Sequence, residues 1–520
     1  MTAAIATCTP SATAALQAWR PRTAAAAASR RSCRRRGLPA HAGLLGLFGS
    51  GSSTPQLAND EEGEALRAWL EQRGLPPQQL AAVVVPGAGR GLAATKPIAK
   101  GEALLRLPLE LVLTPAAAQQ RSCLRPLLEE AEAAGRPLPA WSVLALFLAE
   151  AHAAGATGDW WPYLRLLPEQ TGCVLEWSEA EVGWLRGSQL HEAALEIRAA
   201  ADASWQEMQP LLAAAAQRGL APPGAFDRAS LQSAFAMLLS RLVRLASLGG
   251  NSGSSSRGSG SGSGSGSSSS SGGSGPAEPP GTEALLPFAD LLNHGPSCTS
   301  HLDWSAQDAA VVLRADRKYK AGEEVLVSYG DKTGGELLLS YGFAPPPATN
   351  PHDGVKLRLS LRQDDPVRDW KAAALARHGF APSQLFPLRM QAAPWELMHY
   401  AGMCVAEVGS AADADSLAER LFRQDDFPRE LQPVALEAVI RACQAAQQAY
   451  PSSLDADRAE LEALQQQQQA GGGSGSGSSG AAPSRRQQVL QVLIYERQVL
   501  ARTIFILQQE LRDVKRLART

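Results

Sequence analysis

The stretch LLPFADLLNHGPSCTSH, residues 285–301, gathers Asp290, Asn293, His294, Cys298 and His301 within twelve positions, directly behind an apolar run. Side chains of these types could ligate a metal, hydrogen-bond a buried turn, or line a pocket for some other ligand. Zinc is the sharpest of the three readings, with His294, Cys298 and His301 as ligands. Three such residues within eight positions do not close a tetrahedral site without a distant fourth, and no spacing in the chain marks one. On local grounds Asp290 and Asn293 therefore read as hydrogen-bonding residues of a buried turn. What lies downstream decides whether they do more.

Downstream comes AGEEVLVSYGDKTGGELLLSYGF, in which Tyr329 ends a strand-like run and Tyr341 follows twelve residues later, each before a glycine. Such tyrosines are either core aromatics with satisfied hydroxyls or polar handles in a pocket. A third candidate, VVVPGAGRGLAA, sets Gly87, Gly89 and Gly91 behind strand-like valines. A dinucleotide-binding loop would have to open a helix whose N-terminus receives phosphate, whereas Pro97 and Gly101 follow and the apolar pattern stays short. The glycines turn a hairpin, or bring bare backbone against a ligand.

The elements that must position these residues follow from periodicity. NDEEGEALRAWLEQRG, from Asn59, has a capping residue, acids in its first turn, and Leu66, Trp69 and Leu70 at helical spacing. Short strands are expected in VVV, GLAAT and ALLRLP, mostly helices from about Pro115 to Leu245, and strands again in AAVVLRADRKY and EEVLVSYG. This pattern suggests one β-rich unit interrupted by a helical insert. Beyond Pro345 one strand-like alternation, VKLRLSL, precedes long helical segments. Leu493, Leu500, Leu507 and Val514 recur seven apart in the last of them, but fewer than four full heptads are visible, which favours a core helix over a coiled coil. Two low-complexity tracts, residues 248–281 and 465–484, are expected to be flexible, disordered linkers.

With 520 residues, 45% hydrophobic and 19% charged, the chain has room for two cores. Its seven cysteines are scattered with no C-x-x-C pair, which argues against a disulfide framework or zinc finger and suits a reducing compartment. No run of 18 apolar residues occurs, so no transmembrane helix is expected. The first 59 residues lack Asp, Glu and Lys but carry seven arginines, a composition typical of an organelle transit peptide, here assigned to residues 1–58. Removing those seven charges takes the formal net charge from −2 to −9. So acidic a body argues against nucleic-acid binding.

Taken together these words resemble a SET-domain protein methyltransferase of the Rubisco large-subunit methyltransferase type. GRGLAATKPIAKGEALLRLP is similar to that family's opening glycine loop and strand pair, and WWPYLRLLP and LLSRLVRL to words of its helical insert. LLPFADLLNH and VSYGDKTGGELLLSYGF with NPHD resemble its core, and QAAPWELM with AYPSSLDAD its C-terminal substrate-binding domain. The resemblance implies an α+β fold: a SET domain of small β-sheets with a knot-like substructure over 59–345, with a helical insert at about 115–245. An all-α substrate-binding domain over 346–520 is implied to follow.

The resemblance further implies S-adenosylmethionine as methyl donor, no metal, and a protein lysine as acceptor. Gly89, Arg90 and Gly91 would lie along the donor's methionine part, Arg241 would meet its carboxylate, and Asn293 and His294 would hold its adenosine end. Asp290 would face the acceptor, Tyr329 would be the catalytic tyrosine, and Tyr341 would complete the lysine channel, with Arg241 and Tyr341 serving donor and acceptor sides alike. In-line displacement at a sulfonium depends on aligning nucleophile, methyl and sulfur. An apolar channel keeps the amine neutral by desolvation. The expected protein is a monomeric chloroplast stromal enzyme whose partner is a protein such as Rubisco large subunit or fructose-bisphosphate aldolase, without nucleic-acid or membrane association. The other readings are a SET-fold binding module without turnover and a protein-histidine methyltransferase. LSRLVRL lacks the aromatic that often follows the Ser-Arg pair in relatives, and the Ser/Gly tract stands where relatives have a short loop.

Overall fold

The valine run and its glycines fold as a hairpin. Strands β1 (Ala58–Asn59), β2 (Leu80–Val85) and β3 (Gly89–Ala94) pair antiparallel in sequence order, with Val85 opposite Gly89 and Val83 opposite Gly91. The turn between β2 and β3 needs positive φ at Gly87 (78°) and Gly89 (79°), which glycine adopts without strain. The structure, a computed structural model, describes residues 57–220, 222, 224–245, 282–390, 395–424, 426–471 and 483–517. The expected transit peptide, all but its last two residues, and the Ser/Gly tract lie outside the described residues.

The chain divides into two units. Among the described residues, one runs to Pro168 and resumes from Met208 to Gly330; the other takes Glu169–Glu207 and everything from Asp331. The first unit adds β4 (Ala103–Pro108), β5 (Val243–Arg244), β6 (Glu283–Ala284), β7 (Asn293–His294), β8 (Asp303–Ser305), β9 (Ala310–Arg314) and β10 (Glu324–Val327). Its sheets run β1-β2-β3-β10-β7, β4-β9-β8 and β5-β6. Strand β10 is antiparallel to β3, with Val325 opposite Leu92, and parallel to β7, with Leu326 opposite Asn293 and Val327 opposite His294. Parallel neighbours need a long crossover. Here the crossover contains β8 and β9, which join β4 in another sheet. Leu80, Leu92, Leu105, Val311 and Val325 form the apolar interior of these small sheets.

Helices of this unit bear out the helical periodicity. In the helix Glu61–Glu71, Leu66 and Leu70 are fully buried. In the helix Ala140–Ala154, the nine residues Trp141–Ala149 are all buried. It packs on the helix Arg228–Arg241 through a stack of Trp141 on Phe235, centroids 4.3 Å apart. Asp227 caps the latter helix through the Ser230 N–H, and Arg241 is its last residue.

The second unit is mainly helical. Thr333 and Glu336 form a capping box on the helix Gly334–Tyr341, which Gly342 ends in the left-handed conformation. The alternation VKLRLSL becomes β11 (Val355–Ser360), paired along its length with β12 (Ser383–Leu388). Patterning did not mark β12, because Pro387 interrupts it and Ser383 and Gln384 are polar. The segment with leucines seven apart is the helix Arg485–Leu517, which buries Val489, Leu490, Leu493, Leu500 and Leu507 as a core helix does. The expectation of a linker from residue 465 is corrected at its start. The helix Leu454–Gly471 continues through the glutamine run, as glutamine's favourable helix propensity allows.

Candidate active site

Sheet order brings three of the sequence words together. The glycine strand β3 neighbours β10, β10 neighbours the Asn-His strand β7, and β10 runs directly toward Tyr329. Asn293 sits at the centre. Its Nδ2 donates to the Arg90 carbonyl at 3.0 Å and to Glu324 Oε1 at 2.9 Å, so both amide hydrogens are committed and the side chain is fixed in orientation. Gly91 makes this approach possible. A Cβ there would stand 2.7 Å from Val85 Cγ2, 3.0 Å from Asn293 Nδ2 and 3.1 Å from Glu324 Oε1.

The Arg90 side chain leaves this cluster. Its guanidinium donates to Asp60 Oδ2 at 2.9 Å and pairs with Glu62, while Nη1 reaches the Leu166 carbonyl at 3.4 Å. Arg90 thus meets Asn293 through its backbone carbonyl, and its charge ties the strand to the first helix. Asp60 precedes that helix without capping it, because its carboxylate is given to Arg90.

His294 and Tyr329 form the next pair. The Tyr329 backbone N–H donates to His294 Nδ1 at 3.2 Å, which requires an unprotonated Nδ1 and leaves the ring hydrogen on Nε2. Their rings lie 5.2 Å apart. The Tyr329 hydroxyl donates to the Leu292 carbonyl at 2.7 Å. Burial raises its pKa to about 12, with Arg241 opposing and Asp290 and Glu324 adding to the rise. At neutral pH the hydroxyl is therefore protonated.

Asp290 lies in a 3-10 turn, Ala289–Leu291, entered through Phe288 at φ 73° and ψ −46°. For a fully buried, non-glycine residue this is a strained conformation, costing about 1–3 kcal/mol. The Asp290 carboxylate is buried, Tyr163 donates to its Oδ2 at 2.6 Å, and Arg241 Nε stands 3.9 Å from the same oxygen. Burial pushes its carboxyl pKa up, against the pull of Arg241 and Tyr163. Burial likewise raises that of Tyr163, reinforced by Asp290. Among the described residues, Asp290 Oδ1 and Arg241 Nε are both buried without a hydrogen-bond partner. Arg241 Nη1 donates to the Ser240 hydroxyl at 3.2 Å.

Gly89, Arg90, Gly91, Arg241, Asp290, Asn293, His294 and Tyr329 all belong to the first unit; Tyr341 belongs to the second. There it is half-buried, 6.3 Å from the Phe343 ring, with the buried Lys332 ammonium 5.9 Å from its face. His301 is exposed and bonded to Asp303 at 2.7 Å, and Cys298 packs under Gly295. Among the described residues no three metal-ligating side chains converge. Sequence reasoning missed Tyr163, Glu324 and Asp60. Tyr163 stood inside the quoted word WWPYLRLLP, and Glu324 two residues before Leu326, but neither spacing nor residue type announced a partner across the fold.

Two family models match the chain: the SET domain over residues 89–330 and the Rubisco LSMT substrate-binding domain over residues 362–500. The chain belongs to the SET-domain proteins that carry a Rubisco LSMT substrate-binding domain. It is 28% identical to SET domain-containing protein 4 of Mus musculus, over 68% of this chain and 75% of that relative. It is 25% identical to the chloroplastic ribulose-1,5 bisphosphate carboxylase/oxygenase large subunit N-methyltransferase of Pisum sativum, over 75% and 74%. It is 24% identical to the actin-histidine N-methyltransferase of Homo sapiens, over 70% and 57%. Among solved structures, the SET domain of LSMT bound to lysine and AdoHcy superposes with a TM-score of 0.64 at 22% identity, over 88% of this chain and 92% of that one. Rubisco LSMT bound to AdoMet gives 0.62 at 21%, over 88% and 94%. The fold is the SET fold, and by type the chain is a SET-class methyltransferase.

Proposed function

We propose that the chain is an S-adenosylmethionine-dependent protein-lysine N-methyltransferase of the plastid stroma, acting as a monomer on a protein such as Rubisco large subunit or fructose-bisphosphate aldolase. One observation carries the reading: Gly91, Asn293 and the strand leading to Tyr329 are neighbours in one sheet, linked by Asn293 hydrogen bonds and the Tyr329–His294 bond.

The residues suit the donor. Arg241 Nε, a buried cationic nitrogen without a hydrogen-bond partner among the described residues, matches a carboxylate. Gly89 is exposed and offers bare backbone to the methionine part, Gly91 lets the Asn293 amide close on the same strand, and Asn293 and His294 offer fixed polar groups to the adenosine end. When bound, S-adenosylmethionine supplies an electrophilic methyl on a sulfonium. Tyr329 holds its proton too tightly to act as a base at neutral pH; its hydroxyl, anchored on the Leu292 carbonyl, orients the reacting groups. The acceptor lysine gives up its proton to solvent as the apolar site desolvates it. Asp290 faces that acceptor side.

Lysine is favoured by the similarity to structures solved with lysine and with monomethyllysine, and a Rubisco-type substrate by the similarity to the pea Rubisco large subunit N-methyltransferase. The plastid is favoured by the acid-free, arginine-rich N-terminus. A histidine acceptor is the second reading, supported by similarity to the actin-histidine enzyme. The test is incubation with labelled S-adenosylmethionine and chloroplast stroma: wild type labels a stromal protein and Tyr329→Phe does not. A wild type as silent as the variant, with donor bound by both, points to a binding module instead.

A further inference from the structure

Asp290 is held in an unusual way. Its side chain is 2% exposed, Oδ1 has no partner among the described residues, and Arg241 Nε is 3.9 Å away, beyond hydrogen-bond reach. The bond that orients the carboxylate is the one from Tyr163, 127 residues earlier in the helical insert. Tyr163 is itself fixed. It is 1% exposed in the short helix Trp161–Leu164, and Trp160 stands edge-on to it at 6.3 Å. Trp160 is in turn clamped edge-on by Phe147 at 5.9 Å and Trp69 at 5.6 Å. A tyrosine so enclosed has little freedom to turn its hydroxyl away from Asp290.

A carboxylate with one oxygen occupied and the other open accepts its next hydrogen from a restricted direction. We propose that Tyr163 is a positioning residue for the methyl acceptor: by occupying Oδ2 of Asp290 it leaves Oδ1 to accept one N–H of the incoming neutral amine. The amine keeps its other hydrogen, and its lone pair is aimed by the N–H that Oδ1 holds. No bond to Asp290 or Tyr163 forms or breaks. An unpartnered buried oxygen is costly unless something completes it, and an N–H donor is the chemical complement of Oδ1. This inference rests on the methyltransferase reading and adds to it a residue outside the sheet that carries Asn293 and Tyr329.

The test compares wild type, Tyr163→Phe, Asp290→Asn and the double variant. The measurements are S-adenosylmethionine affinity by calorimetry, melting temperature, and initial rates of labelled methyl transfer against stromal protein concentration. Tyr163→Phe is expected to lower kcat about tenfold or more while donor affinity stays within about twofold and the melting temperature within a few degrees. The double variant is expected to lose no more than Asp290→Asn alone, since both changes disable one unit. An active wild type with an unimpaired Tyr163→Phe overturns this inference alone, as does a Tyr163→Phe loss that follows lost donor binding. A wild type that labels no stromal protein overturns both this inference and the methyltransferase reading. Should Tyr163→Phe not fold, Asp290→Asn decides: a lowered kcat at unchanged donor affinity supports the proposal, and an unchanged kcat overturns it.

Discussion

The backbone N–H of Tyr329 donates to Nδ1 of His294 at 3.2 Å, so the residue assigned to methyl transfer and the residue assigned to the adenosine end are joined by one hydrogen bond. The bond continues the parallel pairing of Val327 with His294. Because it comes from the backbone, the Tyr329 side chain can be altered without breaking it.

Tyr329→Phe therefore keeps the His294 bond and ring packing and removes the hydroxyl that donates to Leu292. The expected result is a fall in kcat on the order of 10²-fold, with donor affinity within about threefold of wild type. Single-turnover methyl transfer alongside calorimetry separates the two quantities.

Asn293 owes its orientation to Glu324 and to the Arg90 carbonyl. Asn293→Ala is expected to weaken donor binding roughly tenfold or more, and Glu324→Ala to do so by a smaller factor, because it frees the amide without deleting it. Calorimetric titration with S-adenosylmethionine reads both. Equal affinity in wild type and Asn293→Ala removes Asn293 from the donor site.

Gly91→Ala would press a methyl group against Val85 and the Asn293–Glu324 pair, all within 3.1 Å. Relief requires parting β2 from β3 or turning the Asn293 amide. The expected outcome is a loss of about 1–3 kcal/mol in stability together with weakened donor binding. A thermal melt and the same titration detect it.

Sequence made the local elements legible where the apolar period was regular. The buried face of the helix Ala140–Ala154 and the hairpin of β2 and β3 followed from spacing and glycine chemistry. What spacing could not show was pairing across distance. Asn293 and Leu326 become neighbours through a parallel pairing whose crossover contains two strands of another sheet, and nothing local specifies it. The role of the Arg90 side chain was hidden for the same reason: its partners, Asp60 just before the first helix and Glu62 within it, lie some thirty residues earlier. Tyr163 was quoted only as part of a word, since a tyrosine in an apolar run looks like core until its hydroxyl partner is known. Strand β12 was obscured by Pro387, which is accommodated opposite Lys356.

In the second unit Glu496 is 4% exposed, accepts from the Tyr450 hydroxyl at 2.9 Å, and is pushed by burial from 4.5 up to about 7. Because the folded state holds this proton more tightly than the unfolded chain, stability from this group is full below about pH 4.5. It is lost as pH rises to about 7, a change on the order of 3 kcal/mol. Glu496→Gln is expected to flatten that part of the curve and to raise the melting temperature at pH 8 relative to wild type. Melting at pH 5 and pH 8 checks it; an unchanged difference between the two pH values in the variant assigns the effect to another group.

The most direct test of the whole account is mass spectrometry of the peptide that carries label after wild-type protein, stroma and labelled S-adenosylmethionine are incubated together. The account predicts a methyl group on the side-chain nitrogen of a lysine in a stromal protein, absent when Tyr329→Phe replaces wild type. A methyl group on a histidine, or no labelled peptide from a wild type that binds the donor, would contradict it.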